Sequence, residues 1–418
     1  MNKLCFLLLI ALASCSKNAK TDSVLSSPPP AEMSSNASMS SMALSQTVWN
    51  VKSVYGAINA QTLQQAINDA RLHRAAHPDE DIILILDAGT YYLNEQIEIE
   101  NLNQQGTGWL KIKGSGYNST ELIDTEYASD LGVTFLFDEP YRVSMEDFQI
   151  TGAQLTTSQG TIVAIDEQAN YNTYIDIDID ANYPNVNALY EIETTKANKI
   201  RIFDDSGSTP HYAAHPSGDH YANRWAFEGD YDENGVPDIR PVLINASQDI
   251  WRFKLREQNV KNDGPIPFQV GDRVGISSKS NRSEWARFKN GGSGFLAQNI
   301  KLLRLGRCKF RGPWSNVHFN NVRIMRSTIN GRPSFYATDA GPQFGHDADG
   351  VDMTNLVFEN CIIKGTVDDG SAFQRIQSGY ASNNSWIDGG GVLVGQNTSA
   401  GFTLSNNTHI NCPVEDLR

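Results

Sequence analysis

Basic residues are in short supply: 34 Lys and Arg stand against 48 Asp and Glu, a net charge of −14. Nucleic acid and anionic membrane surfaces both require a positive patch, so neither is expected as a partner. Cysteine is scarce, at five in 418 residues. The pairwise spacing that marks common zinc sites is missing, so no zinc centre is implied. Past the N-terminal segment only Cys308, Cys361 and Cys412 remain. An odd number in an oxidising compartment implies buried thiols or at most one disulfide. The longest apolar run is too short to cross a bilayer as a helix. Helical periodicity is lacking after residue 80, and hairpin dipeptides between matched strands are few, which counts against antiparallel architectures.

What is present begins with a targeting pattern. Lys3 gives a positive start, Leu4 to Leu12 a short apolar core, and small residues follow. The run ends Leu12-Ala13-Ser14-Cys15, which resembles the lipobox of bacterial lipoproteins. The resemblance implies cleavage before Cys15, acylation of Cys15, and export to a bacterial membrane or the cell surface, where several acyl chains anchor stably. Residues 16–46 are rich in Ser, Ala, Pro and Asn and include Pro28-Pro29-Pro30. Such a stretch cannot bury enough apolar surface to order itself, and reads as a disordered tether. The expected organisation is therefore a signal and lipobox over 1–15, a tether over 16–46, and one β-domain over 47–418. That last length is large for one compact core and ordinary for a solenoid built of rungs.

One helix is well marked. Thr62-Leu63-Gln64-Gln65 has the form of a capping box, Leu63, Ala66, Ile67 and Ala70 follow at helical spacing, and Pro78 ends the pattern. Beyond it come short apolar or alternating segments: Ile82 to Leu86, Trp109 to Lys113, Val143 to Ile150, Tyr174 to Ile179, Lys199 to Phe203, Ile300 to Phe310, and onward to Phe402 to Ile410. Three of them, Val317 to Ile324, Leu356 to Ile363 and Phe402 to Ile410, share one pattern: alternation, Asn at a bend, then alternation again. Asn tolerates the left-handed conformation that a rung corner needs.

Thr62 to Arg71, Ile82 to Leu86, Gly89-Thr90-Tyr91 and Ile112-Lys113-Gly114-Ser115-Gly116 are similar to the opening of the pectin-lyase-like β-helix proteins. That resemblance implies an all-β fold, a right-handed single-stranded parallel β-helix with an N-terminal capping helix. It is specific for fold and weak for function, because the fold hosts hydrolases, lyases, esterases and non-enzymes.

The chemistry-bearing stretch is His346-Asp347-Ala348-Asp349-Gly350-Val351-Asp352, followed by Asp368-Asp369-Gly370. Asp349 and Asp369 are twenty residues apart, the order of one rung. Stacked strands lie about 4.8 Å apart, so Asp349 is expected over Asp369 with Asp368 beside them. Carboxylates so crowded cannot all ionise freely, and one of them should keep its proton. An acid and a base ~6.5–9.5 Å apart hydrolyse a glycoside with inversion. Ala348 to Asp352 with Asp368-Asp369 resembles the Asp motifs of the polygalacturonases, and more closely the family-110 α-galactosidases, as does Phe268 to Ile276. The resemblance implies that Asp368 is the general acid and that Asp349 and Asp369 hold the attacking water. The polygalacturonase Gly-His-Gly and Arg-x-Lys motifs have no clear match, and the chain runs only 49 residues past Asp369.

Trp314, Arg332, Tyr336 and His346, in or beside the irregular stretch 331–347, and Arg375 beyond it, are candidate sugar-binding residues. Asp230, Asp232, Asn234 and Asp238 are spaced as in a calcium loop with Gly235 at its turn, although Pro241 stands where a bidentate Glu belongs. A structural calcium ion is the one cofactor considered, and catalysis needs none. The expected function is an inverting glycoside hydrolase, monomeric, acting on an external polysaccharide or oligosaccharide. The alternatives are a polysaccharide lyase, with Arg375 or Lys364 as base, and a non-catalytic surface carbohydrate-binding protein.

Overall fold

The structure is a computed structural model that describes residues 45–100, 102, 106–125, 133–153, 155, 157–170, 172–183, 199–203, 241–255, 266, 269–277, 284–329, 331–334, 337, 340–346, 349–366, 369–410, 412 and 414–417. The expectations for the signal segment, for Cys15 and for nearly all of the tether fall outside these residues.

Most described strands lie in three parallel columns. The first runs from Gln46–Asn50 and Asp81–Ile85 to Gly379–Ser382 and Phe402–Ser405. The second runs from Gly89–Leu93 to Thr408–Ile410, and the third from Ile97–Glu100 to Val414–Asp416. Two long strands, Tyr141–Gly152 and Gly292–Leu303, serve the first column with their front halves and the second with their back halves. Among the described residues the chain visits first, second and third columns in that order eight times. This all-β arrangement of long parallel sheets is consistent with a β-helix.

Alternation decides what faces inward. In the third column Phe137, Phe288, Phe310, Phe344 and Phe373 occupy equivalent positions on successive rungs. Their rings stack at 4.5, 3.9, 5.3 and 5.5 Å between centroids. All five are buried, each contributing about 1.5–3 kcal/mol from burial alone.

The bend between first and second columns is a ladder of left-handed residues. Asp147, Asn299, Asn321, Asn360, Asn383 and Asn406 all have φ between 53° and 63°, and the register places them one above another. Asn299 Nδ2 donates to Asp147 Oδ1 and Asn321 Nδ2 to Asn299 Oδ1, both at 2.8 Å. The sequence reading placed Asn at these bends because its short polar side chain tolerates that conformation, and the structure agrees.

The predicted helix spans Ala60–Ala76 and is preceded by a short one over Val51–Tyr55. Its cap is Asn59, whose side chain accepts from the Thr62 amide at 2.9 Å, while the Thr62 hydroxyl accepts from the Asn59 amide at 3.0 Å. Thr62 is thus the reciprocal member of the capping box and not its first residue, as the sequence pattern had it. Leu63, Ala66, Ile67 and Ala70 are buried as their spacing predicts. Gln64 donates to Glu98 O at 2.9 Å and accepts from Glu98 N at 2.7 Å, so its amide completes the open edge of the first third-column strand. Arg74 is fully buried, and its Nη1 donates to Tyr141 O at 2.6 Å.

One large element was not foreseen. Between Gly152 and Glu284 lies a six-stranded antiparallel sheet, ordered Lys199–Phe203, Arg273–Ser277, Thr157–Glu167, Thr173–Ile179, Ile250–Lys254 and Val242–Asn245. It has its own core of Ile162, Ile175, Ile177, Trp251, Phe253, Val274 and Ile276. Arg252 clamps Asp176 in bidentate fashion at 2.7 and 2.9 Å. The segments at 174–179 and 199–203 therefore belong to this insertion and not to rungs. Period-two alternation is common to parallel and antiparallel strands, so it could not separate them.

Cys308, Cys361 and Cys412 are free thiols, the first two buried. Burial pushes the Cys361 and Cys412 thiols up to about 12, and Cys308 well above its ordinary value. At about pH 8 all three should resist a thiol reagent in the native chain and react once it is denatured, as read by peptide mass mapping. Phe310→Ala removes the middle ring of the stack and should cost about 3–5 kcal/mol in a denaturant titration.

Candidate functional site

The third column hands the chain to the first through a series of corners, and these differ in length. From Gln343 to its first-column counterpart Val357 the chain takes fourteen residues, but from Ala372 to Tyr380 it takes only eight. The surplus forms an excursion over 345–352. It can leave the strand because Gly345 adopts φ +66°, where a Cβ would stand 2.1 Å from Gln374 O.

The excursion carries His346, Asp349 and Asp352. Asp349 Oδ1 receives Arg311 Nη1 at 3.0 Å, and His346 Nδ1 lies 3.9 Å from the same oxygen. The Asp349 amide donates to His346 O at 3.0 Å, which holds the turn. Asp349 Oδ2 is shielded from solvent and has no hydrogen-bond partner among the described residues. A shielded carboxylate oxygen left without a partner is costly. Behind it, Arg375 pairs with Asp352 at 2.9 Å and donates to Val351 O at 3.1 Å.

The register separates the carboxylates that the sequence spacing had brought together. Gln343 pairs with Ala372, an offset of 29 residues and not twenty. The Gly341 amide accordingly donates to Asp369 O at 2.9 Å. Asp369 precedes its third-column strand, whereas Asp349 follows the preceding one, so Asp349 does not stand over Asp369. The excursion lengthens the rung, which residue counting could not show. Among the described residues no group of three or more His, Cys, Asp or Glu side chains is placed to hold a metal.

Other candidates fare unevenly. Trp314 is 2% exposed, its ring edge-on to Phe288 and Phe310 at 5.2 Å, and its Nε1 donates to Arg311 O at 2.9 Å. It is a core residue and not a sugar platform. His346 is at the site, and Arg375 supports it through Asp352. The backbone of Arg332 lies in the short strand Arg332–Pro333, paired with Thr328–Ile329; its side chain is outside the described residues. So are Tyr336, Asp368 and the calcium-loop residues Asp230, Asp232, Asn234 and Asp238.

Two features escaped the sequence reading. Arg311 went unnoticed, although Arg307, Lys309 and Arg311 alternate along one strand edge, a signal that was there to read. Glu284 is fully buried on the neighbouring rung, with Arg287 Nε at 2.8 Å, Lys309 Nζ at 3.0 Å and Arg307 Nε at 3.8 Å. Burial lowers the Lys309 ammonium below the usual lysine value, with the nearby Arg307 charge adding to it.

No family model matches the sequence, and no curated protein matches it. Among solved structures, the tailspike protein gp49 from Pseudomonas phage LKA1 aligns over 84% of this chain at 12% identity, with a TM-score of 0.23. This chain spans only 56% of that protein's length. A glycoside hydrolase aligns over 84% of this chain and 92% of its own, at 8% identity and a TM-score of 0.24. At such TM-scores neither likeness carries an argument about function.

Gly345→Ala should destabilise more than Gly350→Ala in paired denaturant titrations. Both have φ near +67°, worth about 1–2 kcal/mol against a side chain, but only Gly345 would also meet a backbone oxygen.

Proposed function

We propose that this chain is an exported, lipid-anchored glycoside hydrolase on a right-handed single-stranded parallel β-helix, acting on an external polysaccharide or oligosaccharide with inversion. The observation that supports it is the Asp349 carboxylate: Arg311 holds one oxygen at 3.0 Å, while the other has no hydrogen-bond partner among the described residues. A carboxylate with an oxygen to spare has the group that a general base needs to take a proton from water. Asp368, by the resemblance of its motif, is the acid that protonates the leaving oxygen. Because Asp369 precedes its strand while Asp349 follows the preceding one, this reading assigns Asp369 no catalytic part. A lyase reading through Arg375 is disfavoured, because that guanidinium is tied to Asp352 and to Val351 O. Saccharide binding without cleavage is the second reading, favoured by the separation of Asp349 from Asp369.

Reducing-sugar release from a panel of polysaccharides by residues 47–418 tests this. Asp349→Asn and Asp368→Asn should each lower the rate by about 10²–10⁴-fold with binding retained. A product that absorbs in the near ultraviolet would instead identify a lyase. Binding with no release by the unmodified chain would leave the non-catalytic reading.

A further inference from the structure

The same run of corners holds a hollow. Glu139, Pro140, Tyr141, Asn290, Ser293 and Pro313 surround a pocket of about 310 Å³, at the small end of ligand-binding sites. Its floor is bare backbone at Gly291 and Gly292. A Cβ on Gly291 would stand 2.4 Å from Pro313 O, and one on Gly292 would stand 2.7 Å from both Pro140 O and Trp314 Cη2. Close packing against Pro313, Pro140 and Trp314 therefore requires glycine at both positions.

The polar groups around it are specific. Ser293 Oγ accepts from Ser315 Oγ at 2.8 Å and from Asn316 Nδ2 at 3.1 Å, which leaves its own hydrogen to offer. Asn290 Nδ2 is committed to Asp138 Oδ1 at 2.8 Å, so its Oδ1 is the end left to accept. Glu139 is exposed and is the one charged side chain in the lining. Two arginines border Tyr141 without lining the pocket: Arg142 lies over its ring at 5.4 Å and donates to Thr107 O, and Arg74 lies 5.9 Å from the ring and donates to Tyr141 O.

Register relates this pocket to Asp349. Glu139 and Asn290 are equivalent positions on successive rungs, and Gly312, next to Arg311, is the next one along. The Asp349 excursion follows on the rung after that. At the usual strand spacing, two rungs put the pocket and the site about 10 Å apart along one line.

We propose that this pocket is a further subsite on that line and that it takes an uncharged sugar unit. The inference rests on the saccharide reading of the Asp349 site and adds the substrate class. Sugar hydroxyls can accept from Ser293 and donate to Asn290 Oδ1 and Glu139. A uronate or sulfated unit would instead set its anion against Glu139 with no cation in the lining to offset it.

The test is calorimetric binding of tetrasaccharides of glucose, galactose and mannose, and of their C6-oxidised uronate counterparts, to the full chain carrying Asp349→Asn. At least one neutral tetrasaccharide should bind about tenfold tighter than its uronate counterpart. Ser293→Ala should weaken that ligand about tenfold, as the loss of one hydrogen bond to a ligand does, and Glu139→Lys should reverse the preference. Uronates binding as well as the neutral sugars, no binding by any neutral sugar, or affinities unchanged in both variants would each overturn the proposal. The hydrolase reading fails separately: an unmodified chain that binds these sugars and releases no reducing ends keeps the subsite and loses the chemistry.

Discussion

Everything in this molecule hangs on parallel strands being held in register from one rung to the next. Strands so paired place equivalent residues at one strand spacing from each other. Like therefore meets like, as Phe137, Phe288, Phe310, Phe344 and Phe373 do inside the third column. The same register lines up the left-handed residues from Asp147 to Asn406 at the opposite bend. A slip of one residue in a single rung would break both ladders and turn a face of charged side chains into the core. Two unrelated side-chain chemistries thus enforce the same alignment.

The corners are under no such constraint, and there the chain varies. The bend carried by Asn299 and Asn321 is one residue deep, but the connection after Gly152 holds an antiparallel sheet with a separate core. The corner between third and first columns is intermediate, short at Asn290 and long over 345–352. A rigid stack with variable corners is the usual division between scaffold and site. Asp349 is set by both: Arg311 comes from the regular part of its rung, and the carboxylate from the irregular part. Buried charge marks the start of the strand Glu284–Lys289, where Glu284 is surrounded by Arg287, Arg307 and Lys309.

Several elements were legible in the amino-acid sequence because their causes are local. Alternation marked the strands, Asn marked the bends, and the spacing of Leu63, Ala66, Ile67 and Ala70 marked the buried face of the helix. Even there the cap was misplaced by three residues, since Asn59 and Thr62 share the two hydrogen bonds and either can look like the start. Trp314 was harder. An aromatic beside an irregular stretch reads equally as a sugar platform or as core, and only its contacts with Phe288 and Phe310 decide.

By itself, then, the sequence determined a strand-rich chain with Asn corners, one helix at its start, an acidic surface and thiols too few to staple it. Each of these follows from residue type and near-neighbour spacing. Which strand lies on which was decided only by the tertiary structure, through hydrogen bonds between residues far apart in the chain. That is why Asp369 meets Gly341 and Asp349 meets Arg311. Counting residues assumes that every corner is equally long, and the site sits on a third-to-first corner six residues longer than the next one.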